Sequence, residues 1–117
     1  MGSPSGQFKL TPEAMRETFA RLNAELFGGQ LATIPLKVSN AAKRGGTYRA
    51  KADFVQPNPR MRRLLGDHRI ENLRDESITI SRKVCPSQEA LDRFMAHEMV
   101  HQWQCEVLGV SGGSGGH

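Results

Sequence analysis

The sequence predicts an α+β domain: an N-terminal helix, a small antiparallel sheet of about three strands, and a buried helix near the C-terminus packed against it. Three observations carry this expectation. A capped segment with an apolar stripe opens the chain, alternating strand-like segments fill its middle, and a segment apolar on several faces follows Pro86.

The first helix is expected from about Pro12 to Phe27. Thr11 is a good N-cap, Pro12 suits the first helical position, and Glu13 complements the positive end of the helix dipole. Met15, Phe19, Leu22 and Leu26 recur at helical spacing as one stripe, and Gly28-Gly29 supplies the stop. Leu36–Ser39 and Thr47–Ala52 alternate as strands, and Lys43–Gly46 between them reads as the turn of a hairpin. Gln56-Pro-Asn-Pro59 breaks regular structure, and Arg60–Asp75 reads as a basic loop or a short helix. Glu76–Ser81 is the clearest strand, with Ile78 and Ile80 on one face. The last helix starts after Pro86 with Ser87 as N-cap, and should run to Leu108 and stop at Gly109. Leu91, Phe94, Met95, Met99, Val100, Trp103, Val107 and Leu108 cover several of its faces, the pattern of a buried helix.

At 117 residues, with 38% hydrophobic and 24% charged side chains, the chain suits one globular domain rather than a disordered segment. No apolar run reaches the roughly 20 residues that span a bilayer, so no membrane association is expected. The start is not that of a secretory signal, so an intracellular location is expected, in the cytoplasm or in a eukaryotic nucleus. Residues 1–7 read as an expression scar or a disordered start, 8–110 as the core, and 111–117 as a glycine/serine-rich segment. Cys85 and Cys105 are too few for a disulfide framework and read as free thiols. A thiolate ligand at Cys105, one turn past His101, is the sharper alternative. From Lys43 to Arg74 nine basic residues face three acids, a net +6 that leaves the rest of the chain at −2. Such a zone attracts polyanions, or is simply a solvated arginine-rich loop.

His97-Glu-Met-Val-His101 is an HExxH motif. Helical residues four apart project from one face, so both imidazoles can reach a single zinc ion. Zinc lowers the pKa of a water it holds toward about 7, and Glu98, one position on, can accept the proton from that water. Two histidines at this spacing also occur on helices without any metal. Here they lie inside an apolar helix, where two imidazoles and a carboxylate would be costly to bury without an ion. A hydrolytic zinc site uses a third protein ligand, and His68 and His117 are the remaining histidines. His68 lies in a basic segment where a surface histidine is the default. His117 follows a glycine-rich stretch that could fold it back onto the metal, or begins a tag.

The stretch His97-Glu-Met-Val-His-Gln-Trp-Gln104 resembles the motif helix of the SprT/Spartan family of zinc metallopeptidase domains. Ala42–Arg49 resembles that family's hairpin, Ser77–Ser81 the strand before its catalytic helix, and Leu26–Gly29 the end of its opening helix. The similarity runs from about Phe8 to His117. It implies a zincin-like minimal domain with one zinc ion held by His97, His101 and His117, the last matching a Gly-His segment, and with Glu98 as catalytic acid/base. It also implies a zinc-dependent endopeptidase acting on DNA-bound or DNA-crosslinked proteins. The basic zone would then hold DNA, single-stranded by preference, through phosphate contacts from Lys43, Arg44, Arg49, Arg60, Arg62 and Arg63. Tyr48 could stack on an unpaired base, or pack in the core or rim. The family pattern continues past the histidine matched by His117, so a truncated or engineered domain that binds zinc with little turnover is the alternative. A nucleic-acid-binding module in which zinc only stabilises the fold is a second.

Overall fold

In the computed structural model, which describes residues 8–40, 45–55 and 69–109, helix α1 spans Pro12–Phe27. Thr11 caps it, its Oγ1 accepting from the Ala14 N–H at 3.0 Å. Gly28, at φ 62°, closes it in the left-handed conformation that glycine adopts without strain. Met15, Thr18, Phe19 and Leu22 form its buried stripe. Leu26, expected to extend that stripe, is 58% exposed, because the helix ends one residue later. The chain then doubles back under a two-pronged clamp. Asn23 donates to the Leu31 carbonyl at 3.0 Å and accepts from the Leu31 N–H at 3.1 Å, which delivers Leu31 and Ile34 into the core.

The sheet holds β1 (Leu36–Ser39), β2 (Gly46–Val55) and β3 (Arg69–Ser81) in the order β1-β3-β2. It is mixed rather than antiparallel. β1 runs parallel to β3, with Leu36 opposite Ile78, and β2 runs antiparallel to it, with Tyr48 opposite Ile78. The expected hairpin between Leu36–Ser39 and Thr47–Ala52 does not form, because β3 lies between the two strands. The central place has a physical reason: Ile78 and Ile80 are fully buried there, and an edge place would leave one flank of this most deeply buried stretch of strand uncovered.

β3 is also longer than its alternating segment, and its first half falls where a loop or short helix was expected. Pairing is regular from Gly46–Arg49 against Ser77–Ile80, then shifts twice, between Arg49 and Lys51 and between Lys51 and Asp53. Asp75 and Asn72, at φ 55° and 56°, mark the two bulges. Asn and Asp are the side-chain-bearing residues that best tolerate this left-handed region.

A 3₁₀ turn, Arg82–Val84, leads to helix α2, Gln88–Trp103, whose N-cap Ser87 accepts from the Ala90 N–H at 3.1 Å. The α-helix stops at Trp103, five residues short of expectation. The chain continues to Leu108 as a π-turn, Gln104–Leu108, before Gly109 closes it at φ 70°. α1 packs on α2, with Arg21 and Asp92 paired across the seam at 2.6 Å. α2 is buried on one side only. Leu91, Met95, Glu98, Met99 and Gln102 point inward, while Val100 is exposed, as are Val107 and Leu108 on the π-turn that follows.

Candidate metal centre

The inward positions of α2 follow helical spacing, and Glu98 occupies one of them between Met95 and Met99. Its side chain is therefore 4% exposed, while His97 is exposed and His101 half-buried. The two imidazoles stand edge to face, their centroids 5.0 Å apart and their planes at 84°. One donor atom from each of His97, Glu98 and His101 lies within 4.8 Å of the others. Two imidazoles beside a carboxylate on one helix suit a borderline-soft divalent ion such as zinc.

The floor of this site comes from the start of β2. A methyl group placed on Gly46 would sit 3.2 Å from Glu98 Cγ, 3.3 Å from its Oε2 and 3.0 Å from Ile80 Cδ1. One placed on Gly45 would run into the Phe94 ring. The Gly45 carbonyl accepts from the Ser81 N–H at 2.9 Å, which ties this stretch to β3. The sequence reading took Lys43–Gly46 as a turn and missed this contact. The tandem glycine at the head of a strand was its available signal, since glycine there often marks a close backbone approach.

Beyond His101 lies a polar cluster that the motif did not indicate. The Tyr48 hydroxyl donates to Glu76 Oε1 at 2.8 Å, so Tyr48 is committed to a half-buried rim contact rather than presented as a free stacking platform. Burial, reinforced by Glu76, pushes the Tyr48 hydroxyl well above its ordinary range. Burial together with a hydrogen bond to Glu106 raises Glu76 from the ordinary 4.5 to about 7. Glu76 was legible in principle, because it shares the β3 face of Ile78 and Ile80. Cys105 joins this cluster and is not one of the clustered donors at the histidines, and burial raises its thiol, which disfavours a thiolate ligand. Cys85 is buried, and burial raises its thiol too.

Of the basic residues expected to meet DNA, Arg49 is described and exposed, on β2 opposite Ser77. Lys43, Arg44, Arg60, Arg62 and Arg63 lie outside the described residues, as do His68, His117, the segment 1–7 and the glycine/serine run. Two other cations of the zone are paired, Lys51 with Asp75 at 3.8 Å and Arg74 with Asp53 at 3.5 Å. Among the described residues no helix is long and apolar enough to cross a membrane.

A family model, described as the SprT-like family, matches residues 15–117. The chain belongs to the SprT-like family. Domains of this family are zinc-metallopeptidase-like, which agrees with the His97–Glu98–His101 group on α2. No curated protein and no solved structure matches the chain.

Proposed function

We propose that this SprT-like domain is a zinc-dependent endopeptidase in which His97 and His101 hold the ion, His117 completes the ligand set, and Glu98 is the general base. The observation that carries this is the placement of Glu98: a carboxylate on a core position of α2, 4% exposed, within 4.8 Å of donor atoms on both histidines. A glutamate kept there only for packing would be a poor choice, because burying a charge is costly unless it is paired or used. Zinc supplies the Lewis acid that makes a water nucleophilic near neutral pH and polarises the scissile carbonyl. Glu98 receives a proton at its carboxylate and passes it to the leaving amine. The Gly46 backbone lies close against that carboxylate and limits how far it can swing.

By family likeness the substrates are proteins bound or crosslinked to DNA. Lys43, Arg44, Arg49, Arg60, Arg62 and Arg63 would hold single-stranded DNA through its phosphates, without sequence preference and in a salt-sensitive way. The exposure of Arg49 supports this.

The test is zinc affinity and cleavage of an unfolded protein substrate, with and without a single-stranded oligonucleotide. Glu98→Gln should keep zinc affinity within a few-fold and lose about 10²–10⁴ in turnover. His97→Ala and His117→Ala should each weaken zinc binding. A wild-type chain that binds zinc tightly and cleaves nothing in either condition would overturn the enzymatic assignment and leave a zinc-binding domain.

A further inference from the structure

Five parts of the fold meet at two carboxyl groups. Glu76 comes from β3 and accepts from the Tyr48 hydroxyl of β2 at Oε1, 2.8 Å away. Its carboxyl also meets Glu106, on the π-turn. Both Glu106 oxygens are occupied by donors. Oε1 accepts from the Ala32 N–H, in the loop after α1, at 2.9 Å, and Oε2 accepts from Gln102 Nε2, on α2, at 2.8 Å. Gln102 is fully buried and spends its second amide hydrogen on the Ala32 carbonyl at 2.8 Å. The π-turn is tied to β3 once more where the Ile70 N–H donates to the Gly109 carbonyl at 3.0 Å.

Two carboxyl groups in hydrogen-bonded contact cannot both ionise without repulsion, so one of them must carry a proton. Each Glu106 oxygen already accepts one N–H and keeps a lone pair free, whereas Glu76 accepts from Tyr48 at Oε1, so Glu76 is placed to carry the proton and donate it toward Glu106. The groups facing Glu76 are Tyr48 from β2 and Cys105 and Glu106 from the π-turn, and among these described neighbours none is cationic. Among the described residues nothing there compensates a second negative charge.

We infer that Glu76 and Glu106 share one proton and form a latch between β3 and the π-turn, closed while the proton is present and opened by its loss. The latch governs the point where the chain leaves α2, and it does not depend on the proposed peptidase activity.

The test follows the carboxyl-carbon NMR shift of Glu76, which reports that group alone, alongside amide hydrogen exchange. In the wild-type chain the Glu76 carboxyl should titrate with a midpoint near 7. Over the same range, exchange at Ala32 and Ile70, corrected for intrinsic base catalysis, should rise by about tenfold or more. Glu76→Gln keeps a donor toward Glu106 and should hold protection constant with pH. Glu106→Gln should return the Glu76 midpoint toward 4.5. A wild-type Glu76 that already titrates near that ordinary value would overturn the latch. So would a midpoint near 7 with protection at Ala32 and Ile70 that does not change.

Discussion

The β2–β3 ladder behaves differently at its two ends. At the inner end, Gly46–Arg49 lie against Ser77–Ile80 in unbroken register, and the helix packs so closely that a glycine is needed opposite Glu98. At the outer end, Lys51–Val55 pair with Arg69–Arg74 across two bulges, and exposed ion pairs replace apolar contacts. The same two strands thus serve as a wall of the candidate site at one end and as a charged arm at the other. Regular alternation survives where a helix demands one apolar face, and bulges accumulate where, among the described residues, exposed ion pairs line the ladder.

Mutations should separate the two ends sharply. Ile78→Ala, at a fully buried inner position, should lower unfolding free energy by about 2–5 kcal/mol in urea titrations. An equal loss from Asp53→Asn would erase the contrast. Gly45→Ala, also inner, should cost about 1–3 kcal/mol, because the added methyl meets an aromatic ring held between helix and sheet.

The ends should also answer pH with opposite signs. Glu76, raised from 4.5 to about 7, is protonated in the folded chain while the unfolded chain has released its proton across that window. Its contribution is therefore present below about 4.5 and lost as pH rises through about 7. Asp53, at the outer end, is held below its ordinary 3.8 by the Asn72 amide and then by Arg74. Its contribution is present above that ordinary value and is lost as pH falls through the lowered one. Thermal melts of Glu76→Gln and Asp53→Asn against wild type should place the two effects in these separate windows. At neutral pH and moderate salt, Asp53→Asn should change stability least of these variants, because water and salt screen an exposed pair.

The inner end was also the legible one. Ile78 and Ile80 marked β3, Thr11 and Ser87 marked both helix starts, and the His97–His101 spacing marked one face of α2. The parallel β1–β3 pairing was not legible, because strand order depends on which strand best fills the centre, and no local pattern encodes that competition. The first half of β3 was hidden because each bulge at Asn72 and Asp75 resets the two-residue period from which a strand is recognised. The end of α2 was hidden for a related reason, since apolar residues continue through a π-turn as they would through an α-helix. At the site, donor types and spacing could be read from the motif. The backbone wall at Gly45–Gly46 and the Glu76–Glu106 contact could not, because both arise between segments far apart in the chain.

Elsewhere in this domain side chains act as spacers between layers, and a substitution can be absorbed when a neighbour repacks. Between Gly45 and Phe94 the spacer already has zero length. Accommodation can come only from the other partner, so these two positions should vary together. A SprT-like chain with a side chain at the position of Gly45 should carry something smaller than phenylalanine at the position of Phe94.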